Sequence, residues 1–201
     1  AEKVGAVLFR PLLRDLSGFS VKDPPPVRIA VPSEWTAAGG VAKQTRLSGS
    51  PASAGGLPFA MIGTHLVSDV AFRDARIGAI LRTDLAGGAF GMVFRYLDER
   101  NYYRFSLSPK TGRRLVKCKG GVFTLLWHDK GAVAVGAEHK LVIETVGGAI
   151  RIMLNRTRLC EVRDIDIASG RAGFYAWRCR SAFFRKLEVR RFSQVLEEWS
   201  V

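Results

Sequence analysis

From Met61 onward the chain is written almost entirely as short strand-like runs separated by turn residues, and this alternation constrains the fold more than any other feature. Arg76–Arg82 has the composition of a strand, Asp84–Gly88 turns, and Phe90–Leu97 returns. Side chains alternate across a strand, which places Phe90, Met92, Phe94 and Tyr96 on one face and Val93, Arg95 and Leu97 on the other. In Tyr102–Ser108, the same rule sets Tyr103, Phe105 and Leu107 against Tyr102, Arg104 and Ser106. Pro109–Gly112, Lys119-Gly120-Gly121, Gly147-Gly148 and Asn155-Arg156 then join successive strands at hairpin spacing. The Gly-Gly pair suits a tight hairpin because its residues reach positive φ without a Cβ clash.

About a dozen strands with turns every 8–12 residues predict an all-β, two-sheet antiparallel sandwich. A helical period is absent except in Gln194–Trp199, and no internal repeat suggests a propeller or solenoid. The boundaries read as an N-terminal arm with a Pro-rich linker (1–25), a sandwich (26–192) and a C-terminal tail (193–201). The prolines after Asp23 mark the first boundary, a short strand is expected at Val27–Val31, and Ser48–Gly56 is too poor in apolar residues to pack. At 201 residues the chain can bury a core as one domain. The apolar start Val4–Leu13 is broken by Arg10 and Pro11, so it has the layout of neither a membrane span nor a signal peptide.

The net charge is +13, and it is uneven. Up to Met92 there are 10 Lys and Arg against 7 Asp and Glu; from Val93 there are 21 against 11. A field of this sign favours anionic partners, although most basic residues alternate with apolar ones as on the solvated face of a sheet. Cys118, Cys160 and Cys179 form no CxxC pair and read as free thiols.

Catalytic text is sparse. HExxH, GxSxG, P-loop and GxGxxG motifs are missing, and His65, His128 and His139 read as isolated strand histidines. Glu144, Glu161 and Glu188 alternate with apolar neighbours, the pattern of surface carboxylates rather than of a converging pair. Asn155-Arg156-Thr157 is a glycosylation sequon in a turn. The most informative polar pattern is Arg95, Tyr102, Arg104, Trp127 and Trp177, on strands that can be sheet neighbours. Aromatic rings stack on the C–H face of a sugar, and guanidinium groups bind its oxygens; sandwich cores use the same aromatics.

The stretch Gly91–Phe105, of the form G-x-x-F-R-Y-x-D-x-x-N-Y-Y-R-F, resembles bacterial laminin-G-like, concanavalin A-like jelly rolls, a superfamily that includes 3-keto-disaccharide hydrolase-type domains. His139–Thr145, Ile150–Leu159, Gly170–Tyr175 and Phe184–Val189 continue the likeness in order. The resemblance implies a jelly roll and a non-catalytic carbohydrate-binding or adhesive role, with a glycan as partner, an acidic one given the charge. It implies a secreted, cell-surface or particle-associated setting. Two alternatives stay open. One is a docking component of a surface or phage-tail-like assembly, anchored by Phe9, Leu12 and Leu13 or by Leu196–Trp199; the other is a glycoside-active enzyme. No cofactor is expected. No structural calcium is expected either, because Arg185 and Lys186 occupy positions where relatives carry acidic residues.

Overall fold

The short alternating runs pair into two antiparallel sheets in the computed structural model, which describes residues 2–24, 31–50 and 56–194. The expected strand at Val27–Val31 (but for Val31) and the helical tail after Gln194 lie outside the described residues. In chain order the strands are β1 (Glu2–Phe9), β2 (Phe19–Lys22), β3 (Trp35–Ala38), β4 (Val41–Gln44), β5 (Thr64–Phe72) and β6 (Ala75–Thr83). They continue with β7 (Ala89–Asp98), β8 (Asn101–Ser108), β9 (Gly112–Lys119), β10 (Val122–Asp129) and β11 (His139–Val146). The last four are β12 (Ala149–Leu154), β13 (Thr157–Arg163), β14 (Gly170–Trp177) and β15 (Ala182–Gln194). One sheet runs β13-β12-β11-β6-β15-β4-β3 with β1 also on β15; the other runs β10-β9-β8-β7-β14-β5-β2. This is the all-β jelly-roll sandwich expected.

The main core lies between the sheets. Phe90, Met92, Phe94, Tyr103, Phe105 and Phe174 from the seven-stranded sheet meet Ile77, Leu81, Leu141, Ile143 and Phe184 from the eight-stranded one. The stacked Phe174–Phe184 pair, centroids 4.5 Å apart, joins the two layers. Burying each such ring stabilises the fold by roughly 1.5–3 kcal/mol.

Residues 2–22, set apart in the sequence by the prolines, add one strand to each sheet. β4 covers only Ala182–Arg185 of the long β15, and β1 covers Val189–Gln194 beyond it, so both halves of that edge are hydrogen-bonded. Phe9 packs on Phe19 and Phe72, and Leu13 is buried; of the three residues expected to anchor a partner, only Leu12 remains exposed.

One alternation is broken. Phe90, Met92 and Phe94 face the core as expected, but Tyr96 belongs to the opposite face, with Val93. A bulge after Phe94 accounts for it: Arg95 sits at φ 48°, and register with β8 resumes only at Asp98. Gly170, at φ 154°, lies against this bulge, where a Cβ would come within 2.4 Å of the Arg95 carbonyl carbon.

Candidate functional site on the seven-stranded sheet

The bulge gathers an unusual set of side chains on the outer face of the seven-stranded sheet. Met61, Val67, Val93, Tyr96, Tyr102, Cys118 and Tyr175 pack together there, away from the main core. His65 sits among three of these rings, its centroid 5.1 Å from Tyr102, 5.4 Å from Tyr96 and 5.6 Å from Tyr175. Beside them opens a cavity of about 400 Å3 with His65, Tyr102 and Cys118 among its lining residues.

Two rigid walls frame the cavity. On one side the β7–β8 and β9–β10 turns are stapled together: Arg100 donates to the Gly120 carbonyl at 2.7 Å, and Gly121 N–H donates to the Arg100 carbonyl at 3.0 Å. Gly120 and Gly121 hold φ of 60° and 85°, which keeps that turn tight. Phe123, half-buried and edge-on to Tyr102, stands beside the turn. The opposite wall holds Lys22, Asp23 and Ile62. Asp23 is fixed by the Thr64 hydroxyl at 2.6 Å, which itself accepts from the Trp35 indole at 2.9 Å.

The tyrosine and histidine groups under the cavity are kept uncharged near neutral pH. Burial, reinforced by the nearby Arg104 guanidinium, lowers the His65 pKa to about 3, so the ring is neutral. Burial raises Tyr96 and Tyr102 above the ordinary phenol value and Tyr175 to about 12. The Cys118 thiol is pushed up to about 11, again chiefly by burial, and is a poor nucleophile. Three buried polar atoms in this region have no protein partner: His65 Nε2, Tyr96 OH and Arg104 Nε. Such atoms are rare in folded proteins and call for a bound water or ligand.

The five residues singled out in the sequence fall in different places. Tyr102 lines the cavity. Arg104 shares its face, fully buried, and donates to the Met61 and Phe59 carbonyls at 2.5 and 2.7 Å with its guanidinium 4.4 Å from the Tyr175 ring centroid. Trp177, farther along, donates to the Ser50 carbonyl at 2.9 Å. Both therefore hold the covering segment to the sheet. Arg95, 3% exposed, is directed elsewhere and donates to the Ile167 and Gly147 carbonyls at the end of the sandwich. Trp127 packs on the main core, stacked on Phe105. His65, Phe123, Lys22 and Asp23, which the strand pattern did not single out, complete the cavity.

The carboxylates expected to be separate are so, but Glu144 is buried against Arg76 rather than solvated as its alternation suggests; Glu161 pairs with Arg151 and Arg158, and Glu188 with Arg10 and Arg190. Among the described residues no group of three or more His, Cys, Asp or Glu is placed to hold a metal ion, and no helix is long and apolar enough to cross a membrane.

The sheet order defines an all-β jelly-roll sandwich, a fold that solved structures share. Two solved structures from Bacillus subtilis share it along nearly their whole lengths. The carbohydrate-binding module CBM66 is similar at TM-score 0.68 and 16% identity, covering 90% of this chain and 99% of its own. A protein of unknown function with a galectin-like fold reaches 0.70 at 11% identity, covering 97% and 100%. A presumed glycosyl hydrolase from Parabacteroides distasonis is similar at 0.60 and 13% identity, covering 90% and 93%. No protein-family model and no curated protein sequence matches the chain.

Proposed function

We propose that this chain is a non-catalytic carbohydrate-binding domain and that the cavity beside His65, Tyr102 and Phe123 takes one sugar unit. The observation that carries this reading is the unpartnered Nε2 of His65, a residue that lines the cavity together with the half-buried Phe123 ring. A sugar offers what both need. Its hydroxyls donate to and accept from a neutral imidazole or a phenol, and its C–H face stacks on a ring. The likeness to a carbohydrate-binding module supports the reading at the level of fold. Within the proposed site, His65 and Tyr102 orient hydroxyls, Phe123 supplies the stacking surface, and Lys22, Asp23, Glu99 and Arg100 make the rim polar with charges of both signs.

The test is a glycan array followed by calorimetry on the best ligand. Phe123→Ala and His65→Leu are each expected to weaken binding at least roughly tenfold, about 1.4 kcal/mol, with an unchanged circular dichroism spectrum. Folded protein that binds no glycan, or variants that bind like the parent, would move the chain to the docking reading. Asp23 and Glu99 also line the cavity, which keeps a glycoside-active reading within reach of experiment. Turnover of a keto-disaccharide that Glu99→Gln abolishes would replace the binding reading.

A further inference from the structure

The opposite side of the sandwich has a different chemistry. On the outer face of the eight-stranded sheet, strand register lines residues up in rows. One row is Lys43–Phe183–Arg82, and the next is Val41–Arg185–Ile80–Lys140. Farther along lies Arg190–Arg76–Glu144–Arg151–Glu161. That last row neutralises itself, since Arg76 pairs with Glu144, Arg151 with Glu161, and Arg190 with Glu188. The first two do not. Arg82 and Arg185 are held by Asp84 and Glu138, but Lys43, Lys140 and the adjacent Lys186 are exposed and have no carboxylate within ion-pair distance among the described residues.

We infer that this end of the eight-stranded sheet is a second binding surface, for an acidic polysaccharide. Two open grooves meet at Ile80, with volumes of about 330 and 420 Å3. Val41, Ile80 and Phe183 give them an apolar floor, and the three lysines stand along them. The strands from β4 to β11 span three spacings of about 4.8 Å, so the uncompensated charges reach across about 14 Å. A lysine ammonium is a mobile, well-hydrated point charge, which suits the repeated sulfates or carboxylates of a glycan chain. Single-stranded nucleic acid is disfavoured because its bases need exposed rings to stack on. Phe184 also lines one groove but is buried in the core, and Phe183, half-buried, is flanked by Lys43 and Arg82 at 5.5 and 5.1 Å from its centroid. The surface stands apart from the His65 cavity, on the other sheet.

Dextran sulfate is the probe, with affinity measured against salt for matched double variants. Lys43→Gln/Lys140→Gln removes two charges from this face. Lys110→Gln/Lys130→Gln removes two exposed ones from turns of the seven-stranded sheet. The first pair is expected to weaken binding roughly thirtyfold, the order expected when two lysines leave an anionic surface, and to flatten the salt dependence; the second changes affinity by less than about twofold. Equal losses would mean bulk charge alone and overturn the proposal, as would a parent protein that binds no dextran sulfate at low salt. Tighter binding of poly(dT) than of dextran sulfate at the same salt would assign the face to nucleic acid instead. Loss of polyanion binding in His65→Leu would collapse the two surfaces into one and equally overturn it, whereas failure of the cavity to bind any neutral sugar leaves it standing.

Discussion

The two outer faces of the sandwich use arginine in opposite ways. On the seven-stranded side Arg104 is fully buried and donates to two backbone carbonyls, so its charge serves to fasten one part of the chain to another. On the eight-stranded side Arg82 and Arg185 lie at the surface, paired with Asp84 and Glu138, and leave neighbouring lysines to supply the field. The same residue type, alternating with apolar neighbours in both regions, is a clasp in one and part of a charged surface in the other. What decides is whether a loop covers the strand, and strand periodicity carries no information about that.

The largest expected effect breaks this contrast at its stronger end. Arg104→Leu leaves the Phe59 carbonyl without its donor and the Met61 carbonyl with the Tyr175 hydroxyl alone, and a buried unsatisfied group costs about 1–3 kcal/mol; the variant is expected to lose about 2–3 kcal/mol in urea unfolding. Arg185→Leu, which removes a surface pair, is expected to lose under about 1 kcal/mol. Comparable losses for the two would dissolve the distinction.

An intermediate effect comes from His65. Its folded pKa of about 3 lies below the ordinary 6.5, so the unfolded chain binds the proton first as pH falls. Stability is full above about pH 6.5 and declines below it by up to about 1.4 kcal/mol per pH unit, toward pH 3. Between pH 7.5 and 5, above the range where carboxylates titrate, this amounts to about 2 kcal/mol. Denaturant midpoints across that window should slope downward in the parent and run level in His65→Leu. A level parent would show that the ring is solvated, and the uncharged floor of the cavity would be lost with it.

The smallest effect sharpens the other face. Lys43→Gln and Lys140→Gln are each expected to change stability by less than about 0.5 kcal/mol, because exposed unpaired charges contribute little to folding. A larger loss in melting experiments would make them structural and remove them as candidate contacts.

Much of the fold was legible because the strands are joined by local turns. The hairpins at Gly120-Gly121, Gly147-Gly148 and Asn155-Arg156 stand where the sequence puts them. Less was legible where one residue overrides the period. The left-handed backbone at Arg95 sends that side chain to the end of the sandwich and returns Tyr96 to the face shared with Tyr102, and nothing in the Phe-Arg-Tyr text announces it. The cavity was harder still to foresee. His65 reads as a lone strand histidine until pairing sets it opposite Tyr175, 110 positions later in the sequence. Tyr102 came within reach because it alternates with Tyr103 and Arg104, but the covering carbonyls of Ser50, Phe59 and Met61 belong to a stretch with no pattern to read. Arg104 and Trp177 look like ligand contacts in the text for that reason.

The position of the last strands bears on how the chain is born. β14 lies between β7 and β5, and β15 between β6 and the β4–β1 edge, so each sheet is centred on residues made near the end of this stretch. Until Gly170–Gln194 has left the ribosome, β5, β6 and β7 each lack a partner on one side, and each sheet exists as separate pieces: β7–β10 apart from β5 and β2, and β6 with β11–β13 apart from β4 and β3. At roughly 5–20 residues per second, synthesis leaves those unpaired strand edges open for several seconds, a template for pairing with other nascent chains. A protein built this way depends on whatever holds its unfinished sheets apart during translation more than a helical bundle of equal length would.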